Sequence, residues 1–385
     1  MHVPTQVQFV LAMIFAVSSA QILTPAAVQA DESALSLGHA EQLVLQQNPA
    51  LAAAGKQAEA MAAIPSQAGS LPDPKLSLKS LNLPVDSFST TAENMTQMQI
   101  GFSQAIPFPG KLALRAEAAS RMAGAALENR QEFRLVLLRN TRIHWWNLAY
   151  LDKALTIVRQ NQALLRNLVK IAETKYKTGR GLQQDVLLAQ LELSKLLERE
   201  LSLMGVRERE AAALNALLGR SASAVIALPA ARDGHQALAD PDTAALRDWA
   251  RGHRPMLLAM DYQTQAADSR LALAYKDYYP DFNLGAAYGF RQGVNPANRQ
   301  SRPDFASVML SMSLPIYSSG KQDKAVDQRM AEKARAQFSW QDAANQVDAD
   351  IEASASDLRI ARNQLALFEK GIIPQARLTT ASMLA

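Results

Sequence analysis

The feature that most constrains the fold of this chain is a long stretch without proline. No proline occurs between Pro109 and Pro229, and glycine is sparse there. The pattern predicts one helix over about 112–178, which at 1.5 Å per residue is about 100 Å long. A turn at "KTGRG" follows, and a return helix with an apolar stripe is expected over about 183–218. Two such antiparallel helices pack as a coiled-coil hairpin.

Several short motifs recur in the same order about 208 residues apart. The recurring pairs are Pro49 and Pro255, Pro72-Asp73 and Pro280-Asp281, Pro107 and Pro315, and Gly110-Lys111 and Gly320-Lys321. The first pair is 206 positions apart and the next two are 208 positions apart. The last pair is 210 positions apart, because the second copy has two extra residues before its Gly-Lys. A period of this length is too long for a solenoid repeat and indicates a duplicated half-protein.

Each half contains two segments of alternating polarity. Apolar residues fall on every second position of 282–290 and 308–316, and less regularly over 98–106, whereas "KLSLKSLNL" loses its phase near Ser80. Alternation with a period of two predicts strands with one apolar face. Nine to eleven residues is also the length of a tilted strand that crosses a bilayer. Polar loops separate the two strands of each pair.

The repeat divides the chain into four parts. Residues 1–30, an apolar run followed by "AVQA", are predicted to be a secretory signal peptide. Residues 31–219 form the first repeat, 220–242 a linker and 243–385 the second repeat. Each repeat is expected to begin with one helix, over about 34–68 and about 243–277, before its two strands and its long helix.

The second long helix is expected from Lys321 to the end of the sequence, with a kink at Pro374. Because Lys111 corresponds to Lys321, Lys175 corresponds to position 385, where the turn of a second hairpin would begin. The second repeat therefore lacks a counterpart of the return helix, and the sequence is expected to be truncated at its C-terminus.

The composition and motifs exclude several classes of function. The chain has no cysteine, which excludes disulfides, cysteine zinc sites and a cysteine nucleophile. Its net charge is +4, with Lys and Arg mixed among acidic residues, so nucleic acid is not an expected partner. The five histidines lack ligand spacing, and no catalytic triad or phosphate-binding glycine motif is present. The sequence predicts a protein that is not an enzyme and has no cofactor and no metal site.

The ordered set of motifs resembles a known family. The relevant segments are "NPAL", "LPDPKLSL", "SQAIPFPGKLALRAEAA", "YKTGRGLQQDVLLAQLEL", "YYPDFNLGAAYGFR" and "SLPIYSSGK". Together they are similar to the TolC-like outer-membrane factors, nearest the branch of CzcC and CusC from heavy-metal efflux systems. The resemblance covers nearly all of the chain after Asp31.

This resemblance implies a fold and a function. The fold would be mainly α with a small β part, in which duplicated coiled-coil helical hairpins form a tunnel and four strands per protomer join a trimeric transmembrane β-barrel. The homotrimer would lie in the outer membrane of a Gram-negative bacterium and contact a periplasmic adaptor and an inner-membrane RND pump. It would be a passive conduit for heavy-metal cations or other toxic compounds. The alternative is a soluble periplasmic coiled-coil adaptor or structural protein.

Two sets of residues are candidate functional positions. The strand-to-helix junctions are expected at Pro107, Gly110, Pro315 and Gly320, where proline ends a strand and glycine allows a change of direction. The resemblance places the periplasmic tip and gate at Tyr176, Gly179 and Asp185. Asp185 has the alternative role of an acidic residue in the first turn of a helix, where the helix dipole favours it.

Overall fold

The computed structural model describes residues 34–229 and 240–384. Its main elements are α1 (Leu37–Gln47), α2 (Pro49–Gly69), β1 (Lys75–Leu81), β2 (Gln97–Ile106), α3 (Lys111–Lys177), α4 (Gln183–Leu217), α5 (Thr243–His253), α6 (Pro255–Lys276), β3 (Phe282–Phe290), β4 (Phe305–Met312), α7 (Gln322–Leu367) and α8 (Ile373–Leu384). A 3₁₀ turn, Ser318–Gly320, precedes α7. The predicted signal peptide and positions 230–239 of the predicted linker lie outside the described residues.

The order of elements in the first half recurs in the second. The series α1, α2, β1, β2 and α3 corresponds to α5, α6, β3, β4 and α7. α3 has 67 residues and is therefore about 100 Å long, and the 35 residues of α4 return along it. The prediction of a mainly helical chain with a long helical hairpin and four strands is confirmed.

Each half begins with two helices, so the predictions of one continuous helix over 34–68 and over 243–277 are wrong. The breaks fall at Asn48 and Arg254, whose ψ angles of 116° and 117° are extended. The ring of the proline that follows each of them disfavours a helical conformation. Pro49 and Pro255 then begin the next helix, where no partner is needed for the missing N–H.

Proline also explains where β4 ends. The alternation predicts a strand over 308–316, but β4 is Phe305–Met312. Pro315 has no N–H to contribute to a ladder, and Ser313 makes the last bond of this edge by donating its backbone N–H to the carbonyl of Asp281 at 3.0 Å. The apolar residues beyond Met312 therefore belong to the connection to α7.

The kink expected at Pro374 is a π-helical turn, Phe368–Ile372, between α7 and α8. Proline cannot donate a hydrogen bond to the carbonyl four residues earlier, and its ring crowds that carbonyl. A wider turn relieves both problems while the chain remains helical on either side.

The strands form one antiparallel sheet in the order β1-β2-β3-β4. The register pairs Leu76 with Phe102, Phe102 with Ala286, and Ala286 with Val308. These four residues lie side by side across the sheet, and the even-numbered residues of all four strands share their face. β1 and β4 are the edges, and among the described residues each has no strand paired to its outer side.

The helices pack in the same order as the strands to which they connect, with α2 on α3, α3 on α6 and α6 on α7. The short helices supply two separate cores. α1 covers α3 and α4 around Val44, Leu148 and Leu214, which are fully buried. α5 contributes to a second core in which Leu257 of α6 meets Val347 of α7. Burial is thus concentrated near the short helices, and the far end of the α3–α4 hairpin is exposed.

Candidate functional site

One face of the sheet is apolar and open. Its large side chains are Leu76, Leu78, Met98, Ile100, Phe102, Ile106, Leu284, Tyr288, Phe290, Val308, Leu310 and Met312, which are between 39% and 81% exposed. A contiguous apolar surface of this kind is unfavourable in water by about 25 cal/mol per Å². Large exposed patches of this kind mark contact with a membrane or a partner.

The opposite face of the sheet is mainly polar and small, with Leu81, Phe305 and Met309 as its larger apolar residues. Its residues include Lys75, Ser77, Lys79, Gln97, Gln99, Gly101, Ser103, Asn283, Gly285, Gly289, Ser307 and Ser311. Alternation between an apolar face and a polar face is typical of strands that separate lipid from a water-filled lumen. The prediction made from the alternating sequence therefore identifies the faces correctly in β2, β3 and β4. In β1 the phase slips, so Ser80 lies on the apolar face and Leu81 on the polar one.

The first strand-to-helix junction connects β2 to α3. Pro107 follows the last residue of β2, and Gly110 immediately precedes Lys111, the first residue of α3. Gly110 has φ +92°, in the left-handed region that favours glycine. The chain can therefore turn from the sheet into the helix within four residues.

Lys111 is the most unusual residue of this junction, because its side chain is only 3% exposed. Its Nζ lies 2.9 Å from Oδ1 of Asp281 and 3.2 Å from Oδ1 of Asp277. It also donates to the carbonyl of Tyr279 at 3.1 Å. Three acceptors thus match the three N–H groups of the ammonium, which is what a buried charge requires.

Asp281 joins the two halves of the chain at this point. It accepts a hydrogen bond from the backbone N–H of Phe108 at 2.8 Å as well as from Lys111. Burial raises the pKa of Asp281, but the bonds from Phe108 and Lys111 together outweigh it, and the pKa lies below its ordinary value of 3.8. The ring of Phe108 stacks on that of Tyr279 with 4.5 Å between centroids. The junction is therefore held by charge, hydrogen bonding and stacking together.

The second junction has the same sequence order but a different environment. Pro315 and Gly320 lie between β4 and α7, and Gly320 ends a 3₁₀ turn without a positive φ. Lys321, the counterpart of Lys111, is exposed. The next residue, Gln322, is 8% exposed and donates to the carbonyl of Asp277 at 3.4 Å.

At the other end of the sheet, two arginines tie the β1–β2 loop to the β3–β4 loop. Arg302 is 7% exposed and donates to the carbonyls of Glu93 at 2.9 Å and Gln292 at 3.1 Å. Arg291 donates from its guanidinium to a backbone carbonyl of the β1–β2 loop. Its backbone N–H donates to Asp304 at 2.8 Å, and this bond is the main reason that the pKa of Asp304 is lowered. The loops form one joined structure above the strands.

The tip of the hairpin is an exposed turn with well-defined caps. Gly179 has φ +69° and ends α3, and the backbone N–H of Arg180 bonds to the carbonyl of Lys175 at 2.8 Å. Asp185 lies in the first turn of α4 and accepts the backbone N–H of Leu182 at 3.3 Å. Asp185 therefore caps its own helix, and Tyr176, in the last turn of α3, is 48% exposed.

The part of the hairpin nearest its tip has exposed apolar residues on both helices. Those residues are Leu164, Leu168, Ile171, Leu187, Leu188 and Leu191, which are between 52% and 64% exposed. Farther from the tip, Gln162 is 2% exposed and donates to the Leu196 carbonyl at 3.1 Å and to Glu200 at 2.8 Å. These bonds fix the register of α3 against α4. Exposed apolar patches of this kind are typical of surfaces on which other chains pack.

Within 34–229 and 240–384, no helix is both long enough and apolar enough to cross a membrane. The same ranges contain no group of three or more His, Cys, Asp or Glu side chains that could hold a metal ion. The apolar face of the sheet, the junctions and the hairpin tip are therefore the positions to compare with known proteins.

A comparison with protein families assigns part of the chain. Residues 41–220 match the family described as outer membrane efflux protein. The match runs from within α1 to just after α4, so it contains the first pair of strands, the first junction and the whole hairpin. The outer membrane efflux proteins are channels and not enzymes, in agreement with the prediction from the sequence. No curated protein matches the sequence.

Solved structures of membrane proteins share the fold. VceC from Vibrio cholerae is 20% identical with a TM-score of 0.67, over 86% of this chain and 82% of VceC. A membrane protein from Pseudomonas aeruginosa is 17% identical with a TM-score of 0.73, over 90% and 83% of the two chains. CusC is 16% identical with a TM-score of 0.66, over 91% and 83%. The similarity to CusC is no greater than to the others, so it does not single out the branch favoured by the sequence.

The ionic part of the first junction could not be predicted from the sequence. Pro107, Gly110 and the repeated Gly-Lys and Pro-Asp pairs are visible in it, but no local pattern brings Lys111 and Asp281 together. The available signal was the recurrence of both pairs at nearly the same spacing. Asp277 and Arg302 had no such signal, because their roles depend on carbonyls and loops that come together only in the fold.

Proposed function

We propose that this protein is an outer-membrane efflux channel, a passive conduit through which toxic compounds leave the periplasm. The observation that carries this proposal is the sheet, which exposes a continuous apolar face on one side and a polar face on the other. Such a sheet suits a wall between lipid and water. It is attached to helix α3, which is about 100 Å long and can extend well beyond a membrane.

A channel of this type requires several copies of the chain. Four strands are too few to enclose a lumen, and in the part of the chain that the structure describes β1 and β4 each leave a row of backbone groups unpaired. Three copies would supply twelve strands, which is a size that leaves an aqueous interior. We therefore infer a homotrimer in the outer membrane of a Gram-negative bacterium, with the helices forming a periplasmic tunnel.

The hairpin tip is the inferred contact with the rest of the export system. Tyr176, Gly179 and Asp185 lie at its exposed end, and apolar leucines surround it. We infer that the tip closes or opens the tunnel and that it meets a periplasmic adaptor coupled to an inner-membrane RND pump. Heavy-metal cations are the cargo favoured by the resemblance to CzcC and CusC, and selection among cargoes would belong to the pump.

The test combines localisation with conduction. The full-length protein expressed in a Gram-negative host is expected in the outer-membrane fraction, and the purified protein is expected to produce stable ion-conducting events in planar lipid bilayers. Recovery as a freely soluble periplasmic monomer would contradict the proposal and favour an adaptor. Sensitivity of a deletion strain to metal salts, measured beside its sensitivity to organic toxicants, tests the cargo separately.

A further inference from the structure

We propose that β4 of one copy pairs with β1 of a second copy in one defined register, and that Lys321 of one copy bonds to Asp73 of the other. This inference rests on the proposed multi-copy channel but goes further, because it specifies which residues meet. It is derived from the internal repeat, which makes contacts within one chain a template for contacts between chains.

The two strand pairs, β1–β2 and β3–β4, have the same register once residue numbers are shifted by the length of the repeat. Lys75 pairs with Ser103 in the first half, and 208 positions later Asn283 pairs with Ser311. The same shift converts every pair of the β1–β2 ladder into a pair of the β3–β4 ladder. The sheet is therefore two equivalent strand pairs, joined by the β2–β3 ladder.

The β2–β3 ladder predicts how the free edges meet. β4 is the counterpart of β2, and β1 is the counterpart of β3. The pair Phe102 with Ala286 therefore becomes Leu310 of one copy with Leu78 of the next. Both of these leucines lie on the apolar face, and they are 65% and 78% exposed. Because the shift is an even number, the register keeps the apolar face continuous from copy to copy.

The junction supplies charge complementarity at the same seam. Lys111 and Asp281 form a buried ion pair 2.9 Å apart within the chain. Their counterparts, Lys321 and Asp73, are both exposed, and within the described part of the chain neither side chain makes a hydrogen bond or an ion pair. A second copy placed in the predicted register brings the cation of one chain to the carboxylate of the other.

An apolar contact accompanies the ion pair. The stacked rings of Phe108 and Tyr279 correspond to Ile316 and Leu71, which are 71% and 53% exposed. The edges are therefore matched in strand register, in charge and in apolar surface. A second copy of this chain offers all three. Each copy uses a different edge for each neighbour, so the contact is heterologous, and it closes as a ring when the copies are related by a closed rotation.

The first test is cysteine cross-linking, which is clean because the chain has no cysteine of its own. The full-length variant with Leu78→Cys and Leu310→Cys is oxidised in isolated outer membranes and run on a denaturing gel. Most of the protein is expected as covalent multiples of the chain, up to three. The matched control combines Leu78→Cys with Met309→Cys, which moves one cysteine to the opposite face and is expected to remain largely uncross-linked.

Equal or greater cross-linking of the control would overturn the register. Absence of cross-linking in both variants, with outer-membrane recovery and conductance retained, would overturn the pairing of β4 with β1 while leaving the channel proposal intact. Loss of the channel proposal itself would instead appear in the unmodified protein, as a soluble monomer without conductance.

The second test is an exchange of charge. Lys321→Glu and Asp73→Lys are each expected to lower the temperature at which the assembled protein separates into single chains on a non-denaturing gel. The double variant is expected to recover most of the loss. Lys324→Glu, on an exposed lysine that pairs with Asp327 in its own chain, is the control and is expected to change little. Additive losses in the double variant would rule out the ion pair between copies.

Discussion

Lys111 illustrates how one residue can connect two halves of a duplicated chain. Its ammonium meets three acceptors from the turn between α6 and β3, although it begins the helix that follows β2. A buried ammonium is stable only with such partners, and removing the cation leaves two carboxylates close together. The residue therefore links the first strand-to-helix junction to the second half of the protein.

Replacement of Lys111 by methionine, which keeps most of the side-chain volume, is expected to destabilise the protein. The loss is expected to be about 2 kcal/mol, because hydrogen bonds to charged groups contribute about 1.5–3 kcal/mol and the two carboxylates retain access to water. Urea unfolding followed by the helical circular dichroism signal measures it. Lys324→Met is the exposed control, and an equal midpoint for the two variants would contradict the assigned role.

The lowered pKa of Asp281 predicts a specific dependence on pH. A carboxyl whose pKa is lower in the folded state contributes stability above its unfolded value of 3.8, and this contribution is lost as the pH falls through the folded pKa. Asp281→Asn is therefore expected to show a smaller fall in thermal midpoint than the unmodified protein between about pH 6 and about pH 3. Asp86→Asn, in an exposed loop, is the control. A parallel fall in the unmodified protein and Asp281→Asn would disprove the linkage.

At the scale of elements, apolar and polar residues alternate along each strand, which gives the sheet one apolar face and one polar face. An arginine on the apolar face is therefore expected to be tolerated far less than one on the polar face. Leu310→Arg places a charge toward lipid and is expected to lower the stability of the assembled protein by about 2–4 kcal/mol if it lies near the middle of the bilayer. Ser311→Arg, the next residue, faces the polar side and serves as the control. Recovery from the outer membrane and thermal stability in detergent are measured, and similar losses would argue against a lipid-facing role.

Most elements could be predicted from the sequence, and the errors have physical causes. Period-two alternation located β3 correctly because both its faces have clear chemistry. β4 was placed too late, since Leu314 and Ile316 continue the apolar pattern after the ladder has ended. The helix breaks before Pro49 and Pro255 were missed because the pattern of apolar residues continues across them. The junction prolines and Gly110 could be predicted locally, whereas Asp277 acquires its role from a residue far away in sequence.

At the scale of the whole molecule, the two halves meet where α3 packs on α6. Gly124 of α3 lies against the ring of Tyr262, so closely that a Cβ there would be 3.1 Å from ring atoms. The absence of a side chain at this point allows the two long elements to approach. The halves are therefore joined by the β2–β3 ladder, by the ionic junction and by this close helix contact.

Gly124→Leu is expected to force α3 and α6 apart and to destabilise the protein by about 1–3 kcal/mol, the usual effect of overpacking. Gly252→Leu is the matched control, because no atom lies within 4 Å of a Cβ added at Gly252 in α5. Thermal unfolding followed by circular dichroism provides the comparison. Equal stability of the two variants would show that the contact between the halves adjusts without strain.

The burial of Lys111 and the exposure of Lys321 also predict whether an assembled channel dissociates before its chains unfold. Two kinds of boundary would alternate around the ring, one inside each chain and one between neighbours. At the internal boundary, Lys111 binds two carboxylates, those of Asp277 and Asp281. The counterpart of Asp277 in the first half is Gly69, so the boundary between neighbours has only one carboxylate, that of Asp73. Heat or detergent should therefore release intact monomers before any monomer opens, so disassembly precedes unfolding.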